Sequence, residues 1–422
     1  MIRIYTLALR LGLIVLSPYF LLRGRRYWPT LKDRFGKLTL PQLHGSIWLH
    51  AVSVGEVRAI EPLIAKLRPE FPGKIIVLST TTPTGQQLAH RLKGLVDETF
   101  YFPFDLPAPL RRTLDRIEPE LIIIAETEIW PNLLEQCAER KIPVMMINGR
   151  ISDKSLSRYR LVQRWLGRLF DGYTVLGMQS ALEGRRIESL GANPNKIRIF
   201  GNLKFDIRFF DRAMEVGLSR FLRRWNLLWI AASTMPGEDE FVLDAFLKLR
   251  QVRPELKLLL APRHPERVGG VLDLAQARGF KASRRTALNA DADIMILDTV
   301  GELAATFEYA SVVFVGGSLV PSGGHNILEP ARYSKPILFG PHMENFRDIA
   351  RLFLDAKGAL QIPNASALAP MVDCILSDSA IADSLGRNAH RVLEANAGAT
   401  DRVLDFIRTN IFTGTAVYDR RL

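Results

Sequence analysis

The stretch from Ser311 to Glu344, SVVFVGGSLVPSGGHNILEPARYSKPILFGPHME, decides the fold. Ser311 to Val315 is a β-branched and aromatic run, the pattern of a buried strand. Gly316-Gly317-Ser318 breaks it, and Gly323-Gly324 opens a second tight loop. Asn326 can then cap a helix through Ile327, Leu328 and Glu329, with Pro330 in its first turn. Pro336 to Phe339 follows as the next strand, ended by Gly340-Pro341. Strand, glycine loop, helix, strand is the repeating unit of a parallel sheet, where ligands bind at the carboxyl ends of strands. Glycines there let backbone N–H groups approach a phosphate, and a helix N-terminus adds positive potential. Glu329 adds a carboxylate able to accept two hydrogen bonds from a ribose diol. The structural alternative is a tight connection closed by an Asn-x-x-Glu capping box.

The pattern extends in both directions. Leu228 to Ala232, Lys257 to Ala261 and Ile294 to Leu297 complete a parallel set with the two strands above. Upstream, Ile47 to Ala51, Ile75 to Ser79, Glu98 to Phe102, Leu121 to Ala125, Val144 to Asn148, Tyr173 to Leu176 and Ile197 to Phe200 alternate with helical segments. Strands alternating with helices predict doubly wound parallel sheets. A chain of 422 residues, 47% hydrophobic, has the length and apolar content for two such cores. The boundary falls between Asp206 and Trp225. Neither half carries G-x-G-x-x-G or a Walker loop. From Ala380 onward the chain reads as basic and polar surface helix.

The net charge of +12 suits an anionic partner, but no nucleic-acid-binding pattern is present, and no nucleic acid is expected. Cys137 and Cys374 sit in helical apolar patterns, which predicts buried reduced thiols. Ile4 to Leu22 is apolar apart from Arg10, near the length of a minimal span, and Arg23, Arg25, Arg26, Lys32 and Arg34 follow. A single span, an interfacial helix and a helix packed in the fold are the alternatives.

Several polar residues fall at strand ends. Glu56 lies where the first strand gives way to a helix, placed for general-base work on an acceptor hydroxyl, although Ser53-x-x-Glu56 is also a capping box. Glu126 and Glu128 follow a buried strand in the same way, against the alternative of a solvated loop. Lys204, in Gly201 to Asp206, can neutralise a phosphate or pair with Asp206. Pro262 and Arg263, in APRHPER, follow a strand and suit phosphate or carboxylate recognition. His325 and His342 lack metal-ligand spacing, and no D-x-D pair stands out, so no metal and no cofactor are expected.

With these residues in place, the chain resembles the 3-deoxy-D-manno-octulosonic acid (Kdo) transferases of lipid A assembly. The matching motifs are HAVSVGE (His50 to Glu56), TTTPTG (Thr80 to Gly85), ETEIWPN (Glu126 to Asn132), NLKFD (Asn202 to Asp206), APRHPER (Ala261 to Arg267), FVGGSLV (Phe314 to Val320) and GGHNILEP (Gly323 to Pro330). The resemblance implies an α/β GT-B glycosyltransferase: two Rossmann-like doubly wound parallel-sheet domains facing a cleft, with an N-terminal membrane-anchor helix. The implied division is an anchor and basic juxtamembrane segment at 1–35, an acceptor-binding domain at 36–210, a CMP-Kdo-binding domain at 211–390 and a C-terminal helical segment at 391–422.

It further implies inverting, metal-independent transfer of Kdo from CMP-Kdo to the tetraacylated disaccharide lipid A precursor, at the cytoplasmic face of the inner membrane against its anionic surface. Glu56 matches the family's base. Glu128 and Lys204 match residues that steady the transition state, with Glu126 as the adjacent candidate. Pro262 and Arg263, Val300-Gly301-Glu302, and Asn326, Ile327, Leu328 and Glu329 match the CMP site, with Gly317, Ser318 and His325 as further candidates. Val300 stands where a methionine is expected, a change that a backbone contact tolerates. Two rival functions on such a fold are a non-catalytic nucleotide-sugar or lipid-binding protein and a sugar-nucleotide epimerase. The epimerase needs neither lipid acceptor nor anchor.

Overall fold

In a computed structural model of the chain, residues 1–23, 25–206 and 215–412 are described. They fall into two compact units, one of residues 1–206 with 396–412 and one of residues 215–395. The boundary expected at 210/211 and the last ten residues of the expected C-terminal segment lie outside the described residues.

The first unit holds β1 (Ser46–Ala51), β2 (Ile76–Thr80), β3 (Glu98–Tyr101), β4 (Pro119–Ala125), β5 (Val144–Gly149), β6 (Val175–Met178) and β7 (Ile197–Ile199). The second holds β8 (Leu228–Thr234), β9 (Lys257–Pro262), β10 (Ala282–Arg284), β11 (Ile294–Ile296), β12 (Val312–Val315), β13 (Ile337–Phe339) and β14 (Leu360–Gln361). The sheet orders are β3-β2-β1-β4-β5-β6-β7 and β10-β11-β9-β8-β12-β13-β14. Every pairing between these strands is parallel. The central strands β1 and β4 are buried along almost their whole length, as befits a sheet covered by helices on both faces. Each sheet reverses its order beside its first strand, between β1 and β4 and between β8 and β12, and the second also exchanges β10 and β11 at its edge. Ligands bind at such reversals.

β10 and β14 are the strands that sequence patterning does not find. Both are edge strands of two or three residues with exposed positions, so neither offers a continuous apolar run. The C-terminal segment also departs from expectation. The helix Ala399–Ile407 is not surface decoration: Ala399, Val403 and Ile407 are fully buried in the first unit's core, in one cluster with Phe200 and Leu203. Asp206 ties its start, accepting the N–H groups of Gly398 and Thr400. Cys137 is buried as expected, but Cys374 is exposed, on the outer face of the helix Leu368–Ser377.

The N-terminal apolar stretch forms a helix, Ile2–Arg23, with Pro18 inside it. The expected membrane-anchor character is not supported as a span. Among the described residues no single helix is long and apolar enough to cross a membrane. Side chains 19–23 and 25–27, which include much of the expected basic cluster, lie outside the description. The first turns dock on the unit: Thr6 is buried and donates to Asn132 Oδ1 at 2.8 Å, and Tyr5 packs against Trp165. The other face exposes Ile4, Leu7, Leu11, Ile14 and Val15.

Candidate functional site

The acidic candidates leave from the two strands that flank the first reversal. After β1, Ser53 caps the helix Val54–Glu70. The Glu56 carboxylate accepts the Val52 N–H at 2.7 Å and the Ser53 hydroxyl at 2.9 Å, so the capping box and the candidate base are one residue. Glu56 is buried, and burial raises its carboxyl above the usual range. The Glu126 charge adds to the rise. The Val52 N–H, the Ser53 hydroxyl and the Lys204 ammonium oppose it.

β4 runs into Glu126, whose φ of +60° is a backbone state that residues other than glycine rarely adopt. Its N–H donates to Ile147 O at 2.8 Å. Thr127 exchanges two hydrogen bonds with the Arg150 backbone, and the Tyr173 hydroxyl donates to Glu128 O at 2.5 Å. Arg150 Nε lies 3.7 Å from Glu126 Oε2. Burial, then the charges of Glu56 and Glu126, push the Glu128 carboxyl up to about 7. Lys204 sits in the short turn Leu203–Asp206. Asn148, at the end of β5, accepts the Leu203 N–H at 3.0 Å and fixes that turn to the strand ends. The structure thus brings Glu56, Glu126 and Glu128 within electrostatic reach of one another and Lys204 within reach of Glu56, from loops after β1, β4 and β7.

This crowding predicts a pH signature. Glu128 carries a folded pKa of about 7 against an ordinary 4.5. Its contribution to stability is therefore full below pH 4.5 and is lost as pH rises through 7. Glu128→Gln, which removes the titration, should raise the thermal midpoint at pH 8 and change it little at pH 4.5. Equal shifts at both pH values would show that the carboxyl is not held up by its surroundings.

In the second unit, the loops after β8, β9, β11 and β12 carry the donor-side candidates. Pro262 ends β9, and Arg263 donates its N–H to Thr234 O at 2.9 Å. The Arg263 side chain is exposed, and its guanidinium makes no hydrogen bond or ion pair among the described residues. His325 lies against Gly317 and is held down to about 4 by burial, then by Arg263 and His264. The expected capping box does not form: the helix Leu328–Arg332 starts after Ile327 with no side-chain cap, and Asn326 instead accepts the Leu328 N–H at 3.1 Å in a local turn while its amide donates to Glu329 Oε1 at 3.1 Å. Ile327, Leu328 and Pro262 are buried, so only their backbones can face a ligand. Val300 is exposed, Gly301 has a φ of +95°, and the Glu302 carboxylate is taken up by Arg285 and Thr299.

The glycine loop after β12 is not the open phosphate cradle its sequence promises. Glu238, fully buried at the start of the helix Glu238–Val252, accepts four N–H groups: Met235 at 2.9 Å, Gly317 at 2.6 Å, Ser318 at 3.0 Å and Leu319 at 2.8 Å. The N–H groups of Gly317 and Ser318 are therefore already spent on a carboxylate. Among the described residues no group of three or more His, Cys, Asp or Glu side chains could hold a metal ion.

A family model described as 3-Deoxy-D-manno-octulosonic-acid transferase (kdotransferase) matches residues 29–207. A 3-deoxy-D-manno-octulosonic acid transferase of Haemophilus influenzae is 35% identical over 395 residues, which are 92% of this chain and 92% of the relative. The chain belongs to this transferase family. The enzyme of the same description from Bordetella pertussis is 32% identical over 422 residues, 95% of this chain and 97% of the relative. The UDP-GlcNAc 2-epimerase from Neisseria meningitidis shares the fold, with a TM-score of 0.57 over 86% of this chain and 100% of that one, at 12% identity. That likeness is of architecture alone, and the family match favours the transferase over the epimerase and the non-catalytic binding protein.

In this Kdo transferase, several residues that shape the site carry no motif. Glu238 follows Gly237 after the second sheet's first strand, as Glu56 follows Gly55 after the first sheet's. That repeated Gly-Glu was the available signal. Asp239 and Arg267 pair beside it, and Arg267 also donates to Thr234 O at 2.9 Å, which fixes the Arg263 loop to β8. Tyr173 and Asn148 hold the acidic loop and the Lys204 turn from within the core, and nothing in their neighbouring sequence marks them.

Proposed function

We propose that this Kdo transferase moves Kdo from CMP-Kdo to the tetraacylated disaccharide lipid A precursor with inversion, Glu56 acting as general base. The observation that carries the proposal is the gathering of Glu56, Glu126, Glu128 and Lys204 at the reversal of the first sheet. Glu56 takes the proton of an acceptor hydroxyl as its oxygen attacks the anomeric carbon of Kdo. The bond from that carbon to the phosphate oxygen breaks, and CMP leaves as a phosphate monoester. Glu128 and Lys204 steady the developing charge, with Glu126 beside them. Pro262, Arg263, Val300, Gly301, Glu302 and Asn326 to Glu329 hold the CMP group, with His325 alongside. Arg263 takes up the phosphate charge, and in this reading the step calls for no metal and no cofactor. Gly317 and Ser318 contribute as the fixed floor of the site rather than as N–H donors.

The test is an assay of the purified chain with freshly generated CMP-Kdo and the tetraacyl precursor, read by mass spectrometry. A product heavier by one or more Kdo units is expected. No added mass from a preparation that binds CMP would leave a nucleotide-binding protein instead.

The same proposal places the enzyme at the cytoplasmic face of the inner membrane, with the helix Ile2–Arg23 lying in the interface. Ile4, Leu7, Leu11 and Ile14 recur at helical spacing on its exposed face, and the net charge of +12 favours anionic headgroups. Leu7→Asp combined with Leu11→Asp should reduce co-sedimentation with phosphatidylglycerol vesicles at least about tenfold. Unchanged co-sedimentation would move the contact to the basic surface of the folded part.

A further inference from the structure

The loop that carries Glu126 and Glu128 runs into the helix Pro131–Arg140, which has no side-chain cap of its own at Trp130. Its first N–H groups are satisfied from elsewhere. Asp105, almost fully buried, accepts the Asn132 N–H at 3.1 Å and the Leu133 N–H at 2.9 Å. The Asn132 amide returns a bond to Asp105 O at 2.5 Å. Asn132 Oδ1 accepts the Thr6 hydroxyl at 2.8 Å, a buried contact across 126 positions of sequence. Tyr5 reaches the Asp105 carboxylate beside it.

The acidic loop is therefore held along its length: Glu126 to Ile147 on β5, Thr127 to Arg150 just after β5, and Glu128 to Tyr173 just before β6. Its far end is held by the start of the helix Pro131–Arg140, whose outermost partner is the N-terminal helix. An uncapped helix end relaxes readily when a borrowed acceptor or donor is lost. A carboxylate that must meet a reacting atom tolerates little displacement.

We propose that Thr6, acting through Asn132 and Asp105, is a positioning residue for the Glu126–Glu128 loop, so that the N-terminal helix is a working part of the acceptor-side site. This rests on the proposal above that the loop serves the transfer. The helix has two jobs on two faces. Tyr5 and Thr6 brace the loop, while Ile4, Leu7 and Leu11 face away. Removing the helix to solubilise the enzyme would strip the brace along with the apolar surface.

The experiment uses the full chain on phosphatidylglycerol vesicles with CMP-Kdo and the tetraacyl precursor. Thr6→Val keeps the side-chain shape and removes the donor, and Thr6→Ser keeps the donor. Thr6→Val should lower kcat about tenfold with the KM for CMP-Kdo and vesicle co-sedimentation unchanged, and Thr6→Ser should restore kcat. Wild-type kcat in Thr6→Val would overturn the inference. So would a loss that Thr6→Ser shares, or one that tracks loss of co-sedimentation. Glu128→Gln is measured in parallel. If it is impaired while Thr6→Val is not, the brace fails and the role of the loop stands. If both turn over like wild type, the role of the loop fails as well.

Discussion

Glu56→Gln is expected to lower kcat about a thousandfold while leaving CMP-Kdo binding intact. The substitution separates the two tasks that the structure assigns to one side chain. As a cap, Glu56 accepts the Val52 N–H and the Ser53 hydroxyl. Glutamine keeps one acceptor oxygen for the N–H, and the Ser53 hydroxyl can rotate to accept from the new amide. The start of the helix Val54–Glu70 should therefore survive. As a base, Glu56 needs a lone pair that can hold a proton, which an amide does not offer. Its raised carboxyl, set by burial and then by Glu126, brings it closer to neutrality and makes it a better proton acceptor than an ordinary glutamate. Calorimetry with CMP and single-turnover product analysis read the two tasks separately. Turnover within about threefold of wild type would remove Glu56 from the chemistry, since a positioned base contributes at least about a hundredfold.

The second large effect lies in the other unit. Glu238→Ala leaves the N–H groups of Met235, Gly317, Ser318 and Leu319 without their acceptor. An unsatisfied buried donor costs about 1–3 kcal/mol, and water entering the gap recovers part of it, so the net loss should be at least about 4 kcal/mol. That is a large share of the roughly 5–15 kcal/mol that holds a domain folded. CMP binding should fall by more than about a hundredfold, because a loop freed of its anchor must be ordered again by the ligand. Denaturant titration followed by the fully buried Trp229 reports on this unit. An unchanged midpoint together with unchanged CMP affinity would mean that the glycine loop holds its shape without the carboxylate.

The two glutamates show how far sequence carries a site of this kind. Each follows a glycine after the first strand of its sheet and lies in the first turn of the helix that starts there. What distinguishes them is the partner strand across the reversal. Burial raises the proton affinity of Glu56, and the carboxylate of Glu126 after β4 adds to the rise. β12 presents backbone N–H groups, so Glu238 is satisfied. The strand-to-helix turns, the residues at strand ends and most of both sheets are legible because they rest on local periodicity and glycine placement. The fate of the Gly317 and Ser318 N–H groups is not, because it depends on a residue about eighty positions away. The same holds for the short edge strands β10 and β14. It also holds for Ala399, Val403 and Ile407, whose spacing fits a helix but whose few apolar residues do not reveal which core receives them.

That last helix bears on the order in which the protein can be made. A nascent chain emerges N-terminus first, and domains commonly fold as units while synthesis continues. Here a chain that has reached residue 395 contains all of the second unit, yet the first still lacks Ala399, Val403 and Ile407, which cover Phe200 and Leu203. The unit begun first is completed only after the whole of the second has been made. Trimming or fusing the C-terminus ahead of Ala399 therefore acts on the half that carries Glu56, not on the half that immediately precedes the cut.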